Sequence, residues 1–157
     1  NTPSKLSKDQ IINQAFKFHS QGSLTEAAKY YQQFINKGFI DHRVFSNYGI
    51  ILIKYGKLKK AKSFLQKSIN INPNIAEAHH NLSIIFIRLG KTHEAELSAK
   101  KAISLNPNLA DAHYNLGILL RDRGEIEQSI LCIENLIKIR PWSIIGSYSL
   151  NQRLKST

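Results

Sequence analysis

AEAHHNLSIIFIRLGKTHEAELSAKKAISLNPNL, residues 76–109, reads as two amphipathic helices with a single break between them. Ala78, Leu82, Ile85 and Phe86 recur at helical spacing, and Gly90 then stops the first helix, because glycine accepts the left-handed conformation that closes a helix C-terminus. Ala95, Ala99, Ala102 and Ile103 line one face of the second helix. Pro107 ends it, since proline has no amide with which to continue the helix.

The same punctuation runs outward in both directions. Gly22, Gly56, Gly90 and Gly124 are 34 residues apart, and Pro73, Pro107 and Pro141 keep that step. A period of this length carrying a helix–turn–helix predicts a solenoid of stacked helix pairs, in which a pair buries its apolar face only against its neighbours. The period divides the chain into repeats at 8–41, 42–75, 76–109 and 110–143. Residues 1–7 read as a loose leader. Residues 144–157, apolar through Ile145, Tyr148 and Leu150, read as a capping helix or the start of a fifth repeat. Ser23-Leu24-Thr25-Glu26 has the pattern of a capping box opening the second helix.

At this point the chain resembles the tetratricopeptide repeat family. The match is carried by the glycines and prolines above, by Ala27, Ala61 and Ala95 at the crossing of each pair, and by Tyr48-Gly49, Leu82-Ser83 and Leu116-Gly117 on the first helices. Phe39 stands where the first repeat should have its proline, so a less sharply turned first joint is expected; Ser129 replaces the fourth small alanine. The resemblance implies an all-α, right-handed superhelical solenoid whose first helices line a concave groove.

Carried over position by position, the groove would hold Asp9, Ile12, Asn13, Phe16, His19 and Ser20, then Arg43, Ser46, Asn47, Ile50, Ile53 and Lys54. The later repeats would add Glu77, His80, Asn81, Ile84, Ile87 and Arg88, then Asp111, Tyr114, Asn115, Ile118, Arg121 and Asp122. Asn13, Asn47, Asn81 and Asn115 form an unbroken series at one repeat position. A carboxamide both donates and accepts, so such a series can pair with successive amides of an extended peptide, while the alternative is that it keeps the face soluble or braces the next repeat. The pattern is similar to the asparagine ladder of O-linked N-acetylglucosamine transferases. The chaperone-carboxylate clamp of other family members needs lysines and arginine where this chain has Glu77, Asp111, Ile12 and Ser46, so that mode is not expected.

Composition narrows the function further. Among 157 residues, 22 Lys and Arg against 11 Asp and Glu give a net charge of +11, which speeds encounters with acidic partners. The basic run Lys54 to Lys62, with Lys67, Lys100 and Lys101, reads as a solvated outer face. Phe18, Tyr31, Phe64 and Phe86 occupy core positions rather than alternating with the charges, so nucleic-acid binding is not expected. The single cysteine, Cys132, excludes an internal disulfide and reads as a buried, inert thiol. His79 and His113 share one repeat position and read as core-edge residues; no metal or cofactor is expected. His93-Glu94 is not a zincin motif, because Leu97 stands where the second histidine belongs.

No apolar run is long enough to span a bilayer, and a cytoplasmic location is the expectation. The absence of methionine marks the chain as a processed product or a piece of something larger. No nucleophile with its base, phosphate-cradling loop or carboxylate pair is found, so no enzyme activity is expected. The reading is a protein-interaction scaffold that holds an extended peptide or a partner helix. Its alternatives are the targeting segment of a larger enzyme such as a glycosyltransferase, and a module that self-associates into a homo-oligomer.

Overall fold

The computed structural model describes residues 6–142. The leader, apart from Leu6 and Ser7, and the 144–157 cap lie outside them. Eight α-helices follow in order among the described residues: α1 Lys8–Ser20, α2 Leu24–Asn36, α3 His42–Lys54, α4 Leu58–Ile71, α5 Ala76–Arg88, α6 Thr92–Leu105, α7 Ala110–Asp122 and α8 Ile126–Ile139. The chain divides into two compact units, residues 1–73 with α1–α4 and residues 74–157 with α5–α8.

Within each unit consecutive helices pack as antiparallel pairs joined by one recurring turn. Gly22, Gly56, Gly90 and Gly124 all have φ between 70° and 87°, the left-handed region where a side chain is strained. The amide after each glycine reaches back to the last turn, as Lys57 N does to the Leu52 carbonyl at 2.9 Å. Gly38 adopts the same conformation at φ 76° and ends α2, with Phe39 N bonded to the Phe34 carbonyl. A glycine therefore closes the first joint, in place of the proline that Phe39 displaces.

In the first unit the core is aromatic and aliphatic: Ile11, Ala15, Ala27, Tyr31, Phe34, Val44, Ile51, Ala61 and Leu65 are fully buried. Helices α3 and α4 approach closely at Gly49, where an added Cβ would lie 3.0 Å from Leu65 Cγ. Ser68 Oγ donates to the His42 carbonyl at 2.8 Å and ties the far end of the same pair. In the second unit Ala78, Ile85, Ala95, Ala99, Ala102 and Ala112 are fully buried. Ser129 serves the alanine's packing role and adds a bond: its Oγ donates to the Gly117 carbonyl at 2.7 Å, fixing the α7–α8 crossing. Cys132 is buried beside Ala99, Leu116 and Leu120, and burial raises its thiol pKa, as expected of an inert core thiol.

The capping pattern differs from the sequence reading at one place. Ser23 makes no side-chain cap at the start of α2. The capping box lies instead at α1, where Ser7 Oγ accepts from Gln10 N and Gln10 Oε1 accepts from Ser7 N. Ser7, read as the last leader residue, is thus the N-cap of α1.

Candidate functional site

In the first unit, α1 and α3 present Asn13, exposed, and Phe16, Asn47 and Ile50, half-buried, with Lys54 exposed at the end of α3. Three residues mapped to this face are not on it: Ile12, Ser46 and Ile53 are buried, with at most 8% of their surface exposed. At that burial they offer a ligand little surface, so the accessible face is narrower than the family mapping implies.

A buried hydroxyl organises what remains. Asn47 Nδ2 donates to Tyr31 Oη at 3.2 Å, and Tyr31 Oη lies 3.0 Å from His19 Nδ1. The hydroxyl accepts from Asn47 and can donate its own proton to Nδ1 when His19 is the neutral Nε2–H tautomer. Burial, aided by the charge of Lys54, lowers the His19 pKa and so favours the neutral imidazole. Burial likewise pushes the Tyr31 phenol up to about 12, against the opposing Asn47 bond. Phe16 meets Tyr31 edge-on at 6.1 Å between centroids, and the Arg43 guanidinium covers the Phe16 ring at 5.2 Å. Arg43 is held there by Asp41, through bonds of 3.1 and 2.8 Å. Burial opposes ionisation of Asp41, but these bonds prevail and leave its pKa lowered.

In the second unit, α5 and α7 present His80, Asn81, Ile84, Tyr114, Asn115 and Ile118, all half-buried, with Arg88 and Arg121 exposed at the helix ends. Arg121 is paired with Asp122 at 2.8 Å, and Asp111 with Arg140 at 2.8 Å. His80 has a buried Nδ1 without a hydrogen-bond partner among the described residues. Burial lowers its pKa against the pull of Asp111 and Glu77. Unlike Asn47, the side chains of Asn81 and Asn115 make no hydrogen bond within the described residues, and neither does that of Asn13. Their donors and acceptors face an open side, so they can serve a ligand without first breaking an internal bond.

Elsewhere in this unit Glu96, only 7% exposed, joins Lys100 at 2.5 Å and Arg123 at 2.5 Å. Arg123 also bonds Glu125. The bonds from Arg123 and Lys100 hold the Glu96 carboxyl at about 2. This cluster ties α6 to the α7–α8 turn and uses no groove residue. His113 is buried, with Nε2 2.8 Å from the Pro107 carbonyl, a core-edge role as expected. No helix of the described residues is long and apolar enough to cross a membrane.

Helix pairs that bury one side and leave a polar, half-apolar first-helix face open define a repeat domain of the interaction type. Models of the tetratricopeptide repeat match residues 42–75, 76–109 and 98–130, a continuous stretch from 42 to 130. The chain belongs to the tetratricopeptide repeat family. A comparison with functionally curated sequences returns no match. Among solved structures, the chain is similar to YrrB, described as a tetratricopeptide repeat protein with an unusual peptide-binding site: 20% identity, TM-score 0.78, over 92% of this chain and 75% of that one. It is also similar to MamA from Desulfovibrio magneticus RS-1, at 19% identity and TM-score 0.76 over 88% and 78% of the two chains. A third is the first repeat domain of Spaghetti (RPAP3) bound to the HSP90 peptide SRMEEVD, at 20% identity and TM-score 0.67 over 73% and 91%. At these identities the likeness establishes the fold.

Proposed function

We propose that the chain is a non-catalytic interaction scaffold whose first-helix faces, α1 with α3 and α5 with α7, each hold part of an extended peptide or a partner helix. The observation that carries this reading is the state of the asparagines: Asn13, Asn81 and Asn115 keep their amide groups free on the open side, beside half-buried Phe16, Ile84 and Ile118. Free carboxamides match a peptide backbone, and the apolar neighbours take its side chains. Two of the structural neighbours, YrrB and the Spaghetti repeat domain, carry peptide-binding descriptions, which favours the same use of the fold here. The ligand would differ from an acidic chaperone tail, because Glu77 and Asp111 put carboxylates on this face.

The experiment is selection of peptides from a random display library, followed by amide chemical-shift mapping on the isotope-labelled chain. Shifts concentrated on α5 and α7, around Asn81 and Asn115, support the reading; shifts confined to α6 and α8 overturn it.

A second reading, self-association, is favoured by one apolar set. Ile126, Leu131 and Trp142 expose 51%, 59% and 80% of their surfaces in and after α8. Sedimentation velocity across a hundredfold concentration range separates it from a monomeric scaffold. The likeness of the asparagine series to that of glycosyltransferase repeats favours a third use, targeting for a fused enzyme. Sequencing the full-length gene for a catalytic domain tests it.

A further inference from the structure

The charge of this chain is concentrated. Residues 1–73 carry twelve Lys and Arg against three Asp and Glu, whereas residues 74–157 carry ten against eight. The repeat at 42–75 holds seven cations and no carboxylate. Its second helix, α4, starts at Lys57 without a side-chain cap and with no acid in its first turn, where Lys59 and Lys60 sit against the positive end of the helix dipole. Among the described residues no carboxylate pairs with Lys59 or Lys60, and local rules broken in this way concentrate at functional sites.

A cleft of about 620 Å³ lies in the same unit, lined by Thr25, Lys29, Gln32, Asn36, Lys37 and Tyr55 together with Ala28 and Gln33. That volume is within the range of ligand sites, about 300–1,000 Å³. None of these residues belongs to the first-helix face described above. Tyr55 reaches across to α2, its Oη 3.3 Å from Thr25 Oγ1. The cleft connects to the lysines of α4 through one chain of contacts: Tyr48 Oη donates to Gln32 Oε1 at 2.8 Å, and Lys60 Nζ lies 5.9 Å from the centroid of the Tyr48 ring. No acid is among its lining residues, and Glu26, on the same helix, is engaged by Lys29 at 2.8 Å. Lys37 reaches only a long 3.4 Å contact to the Leu6 carbonyl.

We infer that this cleft, flanked by Lys37 and Lys60, is a second binding site that takes an acidic polypeptide segment. Among the lining amides, Gln32 already donates to Asn36 Oδ1 at 2.8 Å, and this bond leaves the Asn36 Nδ2 group, with the Gln33 amide, to donate to a carboxylate or its backbone. Lysines supply diffuse positive charge rather than the paired geometry with which arginine grips phosphate. The repeat's sole arginine, Arg43, is occupied by Asp41. Of the aromatics near the lysines, Phe45, Tyr48 and Phe64 are buried; Tyr55 alone is exposed, at 47%, and a single ring whose hydroxyl is tied to Thr25 is not the series of platforms on which successive bases stack, so the chemistry favours an acidic protein segment over a nucleic acid.

The test is fluorescence anisotropy with labelled hexaglutamate at low salt. Its comparisons are hexaglutamine, hexathymidylate and two charge-reversed variants, Lys37→Glu/Lys60→Glu at the cleft and Lys101→Glu/Lys138→Glu in the second unit. The site predicts saturable binding of hexaglutamate, none of hexaglutamine, at least tenfold loss with the cleft pair and a change under twofold with the control pair. Binding that drops equally in both variants would mean attraction to net charge alone, and would overturn the site. Tighter binding of hexathymidylate, or no binding of hexaglutamate, would also overturn it. Circular dichroism melts of both variants confirm that loss of binding is not loss of fold.

Discussion

Asn47 and Asn81 hold the same place in successive repeats yet do different work. Asn47 spends a donor on the Tyr31 hydroxyl, because the second helix before it carries a tyrosine; the corresponding residue one repeat later is Leu65, which has no polar atom to offer. The asparagine period was visible in the sequence, but this difference depends on a contact 16 residues back and was not. Tyr31→Phe removes the hydroxyl that Asn47 and His19 share inside the first unit. It should cost about 1 kcal/mol, the net worth of a typical intramolecular hydrogen bond, measured as a lower midpoint in urea. His19 gives a pH dependence of definite sign. Its folded pKa lies below 6.5, so as the pH falls beneath 6.5 the unfolded chain takes up the proton first and this contribution to stability is lost. An NMR titration of the His19 ring should place its midpoint below 6.5; a midpoint at or above 6.5 would refute this pH dependence.

Among the elements, α4 and the α6–α8 ion cluster behave in opposite ways. Helix α4 opens with Lys59 and Lys60 at the positive end of its dipole and no acid in its first turn. Lys59→Glu removes one, adds a favourable charge, and sets a carboxylate three residues before Lys62. Stability should rise by about 1 kcal/mol, since each helix-terminal charge is worth about 0.3–1 kcal/mol; thermal melts at low salt would read it. Glu96 is the converse case. Its folded pKa of about 2 lies below the usual 4.5, so its contribution is present above pH 4.5 and is lost as pH falls toward 2. Glu96→Gln should flatten the loss of thermal stability between pH 5 and pH 2.

Element positions were the most legible feature of the sequence, because a glycine at each turn and a 34-residue step leave few other readings. What escaped was settled by geometry across helices. Gly38 closes α2 without a proline, Ser7 rather than Ser23 makes the capping box, and Ile12, Ser46 and Ile53 turn inward although the family position places them outside. The cleft beside α2 was illegible because Tyr55, some 30 residues from Thr25, completes it.

At the scale of the molecule, the repeats divide the tasks of holding together and of staying available. Second helices supply Ala27, Ala61, Ala95, Ser68 and Ser129 at the crossings and Glu96 of the ion cluster, while first helices add their own buried residues and keep asparagines and half-buried apolar side chains on an open side. A basic surplus concentrated in residues 1–73 adds a long-range attraction for acidic partners that salt would screen. The central claim is that the free asparagines bind a peptide backbone. Its most direct test is isothermal titration of a display-selected peptide into the wild-type chain and into Asn81→Ala/Asn115→Ala. Neither asparagine has an internal bond to lose, so the melting temperature of the pair should stay within about 3 °C, equivalent to well under 1 kcal/mol for a chain of this size. We predict at least tenfold weaker binding at that unchanged stability; an affinity within twofold of wild type would contradict the account.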